Sequence, residues 1–439
     1  MTELLTKSRF GTESKGLFLR LGAAVAWSCV LGSLSFSIGA NRAFAAPQKE
    51  ANPAAKSAED SPEFKKLAAR ATEARGQNRL PEAADLYEKA LRLNPRWEEG
   101  WWYLGTLNYD ANNYGEGVKA FRNLVELDRQ NAPALALLGL CEFETHDYGN
   151  AFVHLQMAKS KGFGNNDELW NVVEYHLALL YILHSEFEMA NKLLTDLAHH
   201  TVLSQNVKMA FGLTLLRVPL LPDQIDPEKD ALISDTGKAG ELIALLDFDE
   251  ADKSLQQLVR DYPTTPFVHY AYGAMLSGLS EYEKAEEQLR EEIKINPESS
   301  LPYMLLAYVD VRLNRFQDAL PLGQEAVKLA PQAFLAHYVL GRALLGTDKV
   351  TDAVRELTVA KHLSPYTAEI HYNLAVALAK AKRPREAAEE KAEFQRLWAA
   401  SRAESLSGAD SYRGSNARGE LEPHQAQAPE EPSRGAPPP

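Results

Sequence analysis

The sequence predicts an all-α solenoid of about nine helix-turn-helix repeats, because apolar residues follow helical spacing inside units of constant length. Small residues in apolar surroundings recur in steps of 34 within two groups: Ala71, Gly105 and Gly139, then Gly273, Ala307, Gly341 and Ala375. Prolines keep the same step: Pro263, Pro297, Pro331 and Pro365. Histidines of a repeated His-Tyr pair stand 68 and then 34 residues apart: His269, His337 and His371. One period therefore runs through most of the chain.

Each repeat contains a turn in which an apolar residue is followed three places later by Ala. The form recurs in NRLPEA (78–83), HDYGNA (146–151), SEFEMA (185–190), DFDEA (247–251), SEYEKA (280–285), NRFQDA (314–319), DKVTDA (348–353) and KRPREA (382–387). Apolar residues at three- and four-residue steps on both sides of the turn predict two amphipathic helices. We expect the small residue of the first helix and the turn Ala to lie where the helices cross closely, and Pro to end the second helix.

The N-terminal 45 residues differ from the repeats. Four basic residues precede an uncharged run at 21–40, and an Ala-x-Ala arrangement follows at 43–45. This layout is typical of a secretory signal peptide cut near Ala45, so we expect residues 1–45 to direct export and the mature protein to be periplasmic or secreted. Twenty uncharged residues could also just span a bilayer, which leaves an uncleaved N-terminal anchor at 21–40 as the alternative.

Charge excludes some classes of partner, and cysteine content excludes an internal disulfide. The chain has a formal net charge of −13, and removal of residues 1–45, which carry five Lys or Arg and two Glu, leaves −16. Such a surface repels nucleic acid and anionic lipid, so membrane contact is expected only through an uncleaved N-terminus. Only Cys141 remains in the exported chain, so no internal disulfide can form.

The remaining segments follow in order along the chain. Residues 46–61 are expected to be a linker and residues 62–200 to hold the first four repeats. Residues 201–263 contain an irregular repeat, because three prolines at 216–230 break the period before a helix resumes at about 231–246. This joint is interpreted as a passive insertion, with a hinge, a kink or a partner contact as alternatives.

The C-terminal part regains the period and then loses it. Residues 264–400 are predicted to contain further repeats and a C-terminal capping helix. Residues 401–439 lack apolar periodicity and gather Pro, Gly and charge, so a disordered Pro-rich tail is expected there.

Motifs of catalysis and metal binding are absent from the sequence. It contains no Gly-rich phosphate loop, HExxH, CxxC or GxSxG. DFDEAD at 247–252 lacks the Gly and distal Glu of a calcium loop, and adjacent His199 and His200 would point apart on a helix. Histidines in successive repeats would stand about 8–10 Å apart per step, too far to share one zinc. We therefore expect no catalytic, cofactor or metal site, and no enzymatic activity.

The segment WWYLG at 101–105, followed by Phe121, resembles the tetratricopeptide (TPR) pattern W-x2-L-G…A-x3-F…P. The first unit supplies Ala83, Tyr87, Ala90 and Pro95; the eighth supplies Leu340, Gly341, Ala353, Leu357, Ala360 and Pro365. Departures are Gly117 at a turn Ala, Gly323 in place of an aromatic residue, and His at the Trp position in three units. The resemblance covers residues 62 to about 400 and implies a right-handed superhelix whose first helices line a concave face.

The resemblance also implies which side chains face that groove, namely those one and five places after the Trp or His position. Together with neighbouring aromatic residues they are Trp102, Thr106, Tyr109, Phe143, Tyr175, Tyr270, Met304, Tyr308, Tyr338, Arg342 and Tyr372. We expect about half of them to be buried against neighbouring helices. The first unit has Ala68 and Thr72 where some TPR domains carry the Lys and Asn that hold a partner's C-terminal carboxylate, so a receptor for chaperone tails is not expected.

These observations predict a non-enzymatic scaffold that binds a protein or peptide segment in an aromatic groove, with cell-envelope assembly as one setting. Tyr and Trp offer large rigid area with a polar edge, which suits binding hot spots. The net charge favours a partner with Lys or Arg between apolar anchors. Alternatives are a carbohydrate-binding envelope protein and an accessory subunit of an envelope enzyme complex. The sequence leaves the oligomeric state and the identity of the partner open.

Overall fold

Nineteen α-helices form the regular structure of residues 61–164 and 166–413, the part of the chain that this computed structural model describes. In order they are α1 Pro62–Gly76, α2 Leu80–Leu93, α3 Glu98–Asp110, α4 Tyr114–Leu127, α5 Ala132–Glu144, α6 Tyr148–Lys161, α7 Asp167–Leu183, α8 Phe187–His200, α9 Gln205–Leu215, α10 Asp230–Ala244, α11 Phe248–Asp261, α12 Val268–Gly278, α13 Tyr282–Ile295, α14 Ser300–Arg312, α15 Phe316–Leu329, α16 Phe334–Gly346, α17 Val350–Leu363, α18 Ala368–Lys380 and α19 Pro384–Arg413. No strand occurs within these ranges. The predicted all-α solenoid of helical repeats is confirmed.

Ten turns share one backbone geometry, in which the residue after the helix cap is left-handed. After α1, Asn78 has φ 58°, its amide donates to Arg75 O at 3.0 Å, and the Arg79 amide donates to Ala74 O at 2.8 Å. This is the Schellman arrangement, which satisfies the last carbonyls of a helix. The left-handed residues are Asn78, Asn112, His146, Ser185, Arg217, Leu246, Ser280, Asn314, Asp348 and Lys382. The turns thus keep the sequence period in three dimensions.

The two helices of each hairpin cross at the small residues, as predicted. A Cβ built on Gly139 would meet Leu155 at 2.7 Å, and one built on Gly341 would meet Leu357 at 2.7 Å. Gly117 stands where the other repeats have the turn Ala, and it faces Cys141 Sγ. A Cβ built on Gly117 would lie 2.7 Å from this sulfur. The glycine therefore makes room for a larger neighbour.

The joint is a close contact of two helices. A Cβ on Gly212 in α9 would meet Ile233 O at 2.0 Å, and one on Gly237 in α10 would meet Lys208 O at 2.0 Å. Between these helices, residues 216–229 form a connection with two 3₁₀ turns, Pro222–Gln224 and Pro227–Lys229. Helix α10 is followed by the left-handed turn at Leu246 and also packs on α11, so it contacts a helix on each side.

The hydrophobic core continues through this joint. A single cluster of buried residues extends from Phe121 to Val309 and includes Phe211, Leu221 and Ile233 of the joint. The guanidinium of Arg217 bonds Glu188 Oε1 at 2.6 Å in α8, and it lies 5.8 Å from the ring centre of Tyr270 in α12. The helices before and after the joint are therefore packed together.

The last helix is longer than expected. Helix α19 continues to Arg413, whereas the sequence predicted an unstructured segment from residue 401. Apolar periodicity reports burial and stops near Leu397, but residues 398–407 contain neither Pro nor Gly, so nothing in them ends a helix. The signal peptide, nearly all of the linker, and residues 414–439 of the tail lie outside the described residues.

Among the helices of the described ranges, none combines the length and the apolar character needed to cross a bilayer.

Candidate functional site

The recurring histidines are held between the two helices of a repeat and the loop before it. In His337, Nδ1 lies 2.8 Å from Glu356 Oε2, and Nε2 lies 3.0 Å from the carbonyl oxygen of Pro331. In His371, Nδ1 lies 2.6 Å from Glu390 Oε2, and Nε2 lies 2.8 Å from the carbonyl oxygen of Pro365. Both rings are buried, and both of their nitrogens are engaged.

Trp101 explains why His occurs at this position. Its indole Nε1 donates to the carbonyl oxygen of Pro95, six residues earlier, at 2.8 Å. In the same way, Nε2 of His337 and of His371 faces the carbonyl oxygen of the proline six residues earlier. In the third case, His269, the partners are Pro263 O at 3.2 Å and Gln288 Oε1 at 2.8 Å. Within the described residues, no three His, Cys, Asp or Glu side chains are grouped to hold a metal ion. The histidines therefore act as ring N–H donors that fasten the preceding loop.

The predicted groove residues divide by exposure. Four of them are buried: Phe143, Tyr270, Met304 and Tyr338. Tyr372 is 51% exposed. The others are partly exposed: Trp102, Thr106, Tyr109, Tyr175, Tyr308 and Arg342. The six partly exposed residues and Tyr372 are accessible to a partner. Whether they bind one stays a prediction.

In the N-terminal half, aromatic residues of three neighbouring hairpins form one group, which we call the N-terminal aromatic cluster: Tyr109, Tyr114, Phe143, Tyr148, Tyr175 and His176. Ring centres are 5.8 Å apart for Tyr109 and Tyr114, 5.3 Å for Phe143 and Tyr148, and 4.9 Å for Phe143 and His176. The contact of Phe143 with His176 therefore joins the rings of two neighbouring hairpins.

Carboxylates surround this cluster. Burial raises the pKa of Tyr109 to about 12, with further contributions from Tyr114, Cys141 and then Glu144. Burial, followed by the charge of Asp223 in the joint, raises the pKa of Tyr175 to about 12. Both phenols are therefore neutral hydrogen-bond donors near neutral pH, in an acidic setting.

In the C-terminal half, a different group spans three consecutive first helices. We call it the Tyr-Arg cluster: Tyr308, Arg312, Tyr338, Arg342 and Asn373. Arg312 Nη1 donates to Tyr308 Oη at 3.2 Å, and Arg342 Nη1 donates to Tyr338 Oη at 3.3 Å. Asn373 Nδ2 donates to Tyr338 Oη at 3.2 Å, which joins two adjacent repeats. Among the described residues, no carboxylate forms an ion pair with either guanidinium.

Beside this cluster, the open end of the array carries exposed aromatic rings. The ring centre of Tyr372 is 5.3 Å from that of Phe394, which is 5.9 Å from that of Trp398 in α19. Trp398 is 56% exposed. The row therefore extends the aromatic surface onto the last helix.

Several residues of these groups were not predicted from sequence. Arg312 and Asn373 were missed because they stand outside the two repeat positions considered, and Phe394 and Trp398 because they lie on a second helix. A signal did exist for Arg312, since Tyr-x3-Arg occurs at both 308–312 and 338–342, a spacing that makes side chains neighbours on a helix.

A buried carboxyl group also lies on α14, that of Asp310, where the charges acting on it come from Glu286, Arg290, Arg315 and Asp318. Both oxygens of Asp310 are buried without a hydrogen-bond partner. Burial, and next the charge of Glu286, raise its pKa from 3.8 to about 6. The nearby guanidinium of Arg315 does not neutralise it, because it binds Glu286 Oε2 at 2.5 Å.

Comparisons with known proteins agree with the repeat architecture. A sequence profile of the tetratricopeptide repeat family matches residues 68–132, 104–161 and 304–366. No curated protein matches the chain.

Similar solved structures share low identity with this chain. "MamA 41-end from Desulfovibrio magneticus RS-1" is 21% identical, with 38% of this chain and 94% of that chain covered and a TM-score of 0.35. "Crystal structure of YrrB: a TPR protein with an unusual peptide-binding site" is 19% identical, with 39% and 88% covered and a TM-score of 0.34. Because these identities and scores are low, no conclusion about function rests on them.

Proposed function

We propose that this chain, which carries tetratricopeptide repeats, serves as a protein-interaction scaffold. Its first helices would bind an extended or helical segment of a partner along their shared face. One observation carries the proposal: first helices along the array present accessible aromatic side chains, and contacts between neighbouring first helices join some of them into groups. The accessible rings are Trp102, Tyr109, Tyr175, Tyr308 and Tyr372. Rings of this kind bury large area on binding at small entropy cost.

The partner should contact the face with apolar anchors. Tyr372 and Trp398 supply exposed rings at one end, and Trp102 supplies a partly exposed indole near the other. Basic residues of the partner would find Glu144 and Asp223 around the N-terminal aromatic cluster, in line with the net charge of −13. This half of the surface therefore suits a segment that carries Lys or Arg between apolar anchors.

We place this activity in the cell envelope or outside the cell, because the sequence begins with the layout of an export signal. We propose that it assembles or organises an envelope complex there. An uncleaved N-terminus would tether the same scaffold to the membrane. Carbohydrate binding by the exposed rings is the second candidate, since aromatic faces also stack on sugars.

The proposal is tested by photocrosslinking in the producing cell. A photoreactive phenylalanine analogue at Tyr372 should form a covalent product with a partner, which mass spectrometry identifies, and the same analogue at Glu287 on α13 should form little. The purified partner is then titrated against the Tyr372→Ala and Tyr308→Ala variants, for which we expect an affinity loss of about 2 kcal/mol.

A matched control is Glu287→Lys, an exposed change on a second helix. If this variant loses the partner while the tyrosine variants keep it, the binding face is the outer one and the proposal is wrong. If binding is abolished by free oligosaccharide but not by the partner's own peptide, the carbohydrate reading replaces it.

A further inference from the structure

The Tyr-Arg cluster has unused capacity to bind an anion. A guanidinium carries five N–H donors, and the described hydrogen bond of each arginine uses one of them on a neutral tyrosine hydroxyl. Arg312 is exposed and Arg342 partly exposed, so both remain accessible. A guanidinium binds carboxylates well because two parallel N–H groups match two oxygens.

The local charge at this cluster is opposite to that of the whole chain. Glu369 supplies a carboxylate whose negative charge acts on Tyr338. Two arginines against this glutamate leave one positive charge in a chain of net −13. The position therefore differs from the acidic surroundings of the N-terminal aromatic cluster, and it attracts an acidic segment.

We propose that the acidic C-terminal segment of this same chain, residues 420–431, occupies the Tyr-Arg cluster, with Glu430 and Glu431 reaching Arg312 and Arg342. The segment reads ELEPHQAQAPEE and contains four Glu and no Lys or Arg. Six residues separate it from the helix that ends the array, so it is present at high local concentration.

The chain is long enough for this contact. From Trp398, whose ring contacts Phe394, to Arg413 the helix α19 extends about 22 Å at 1.5 Å per residue. Two further repeats add about 20 Å. The 17 residues from Arg413 to Glu430 span up to about 56 Å when extended, which exceeds the sum of these distances.

The contact itself does not depend on the proposed function. Its consequence rests on that function, because the tail and a partner would compete for the same face. A tail bound to the Tyr-Arg cluster would cover Tyr308 and Arg342, part of the face offered to a partner. A partner that binds there must displace the tail, so its apparent affinity falls by the fraction of molecules in which the tail is bound.

Arginine footprinting of the full-length protein tests the contact without any partner. Phenylglyoxal modifies accessible guanidinium groups, and mass spectrometry follows the rate at each one. In a variant with Glu420, Glu422, Glu430 and Glu431 all changed to Gln, we expect Arg312 and Arg342 to react about twofold faster or more, because tethering at millimolar effective concentration populates even a weak contact.

Two controls make the result specific. Arg385 on α19, whose side chain is 93% exposed, should react at the same rate in both proteins. A matched variant, with the four exposed glutamates Glu82, Glu88, Glu116 and Glu126 changed to Gln, alters net charge equally and should leave Arg312 and Arg342 slow. Equal rates in the tail variant and the unchanged protein would overturn the inference, as would acceleration by the matched variant. Either outcome leaves the photocrosslinking test of the scaffold unaffected.

Discussion

Asp310 has a buried carboxyl group without a hydrogen-bond partner, and its ionisation makes the stability of the fold depend on pH. Its pKa is raised from 3.8 to about 6 in the folded protein, so between these values the folded state binds more protons than the unfolded state. Stability should therefore fall as pH rises from about 4 to about 6, and the loss should be complete above that window.

Replacing Asp310 with Asn should remove this loss. We expect Asp310→Asn to raise the free energy of unfolding by about 1–2 kcal/mol at pH 7.5, and by much less at pH 4.5, where the carboxyl of Asp310 is already protonated. Urea unfolding followed by helical circular dichroism at both pH values measures it. A variant that is less stable than the parent at pH 7.5 would contradict the assigned cause.

The three loop-fastening histidines should matter for stability and not for metal content. Changing His269, His337 and His371 to Gln removes at least one ring hydrogen bond at each site, so we expect a loss of about 1 kcal/mol per site. Elemental analysis of the purified protein should give the same metal content before and after. His200→Gln, at the exposed end of α8, is the control. Stoichiometric zinc that disappears with the triple change would show a shared site after all.

At the residue scale, sequence reasoning located the histidines but could not supply their partners. The step of 34 residues assigns them to one structural position, and Trp101 in that position indicated a common role. Glu356 and Glu390 lie 19 residues after His337 and His371, in the second helix of each repeat. In the sequence they cannot be distinguished from solvent-facing glutamates, so their contact with the histidines could not be predicted. Burial of Tyr270 and Tyr338 depends on neighbours from other repeats, which a periodic pattern does not specify.

Among the elements, the contact of α9 with α10 tolerates the least change. Gly237→Ala places a Cβ 2.0 Å from Lys208 O, so the helices must separate, and we expect a destabilisation of about 3 kcal/mol. The control is Gly149→Ala in the first turn of α6, where an added Cβ would meet nothing within 4 Å beyond the adjoining backbone of its own helix; it should be neutral or stabilise by up to about 1 kcal/mol. Urea unfolding compares them, and equal midpoints for the two variants would refute the close contact.

The joint illustrates what the sequence could not provide at this scale. Its three prolines predicted a break in the period, and the break is observed at 216–229. The reciprocal pairing of Gly212 with Ile233 and of Gly237 with Lys208 is a tertiary contact outside the repeat phase, so no periodic signal marks it. The end of α19 was likewise misjudged, because loss of burial was equated with loss of helix.

For the molecule as a whole, the sequence was sufficient to derive the architecture. Period, turn form and small residues together specify a stack of hairpins, since each unit contacts mainly its neighbours. The partner is a different matter, because a repeat fold accommodates many ligands and only the side chains of one face decide among them.

Export makes a prediction about the mature protein. If residues 1–45 form a cleaved signal peptide, protein purified from the producing organism should begin close to Ala46, as determined by N-terminal sequencing. Changing Ala43 and Ala45 to Leu should block the cut and leave the longer form in the membrane fraction. Intact Met1 on soluble protein inside the cell would rule out export.

The uniform turns have a consequence for how such a gene can change. Asn314 and Asp348 occupy identical backbone positions 34 residues apart, so deletion of the codons for 315–348 would join Asn314 to Lys349 and recreate a turn of the same form. Recombination between units can thus shorten or lengthen the array in steps of about 10 Å without any new loop. Across the joint the spacing is not 34, so unequal exchange cannot pass through it in register. The number of repeats can therefore change independently on each side of the joint, while the joint itself is retained.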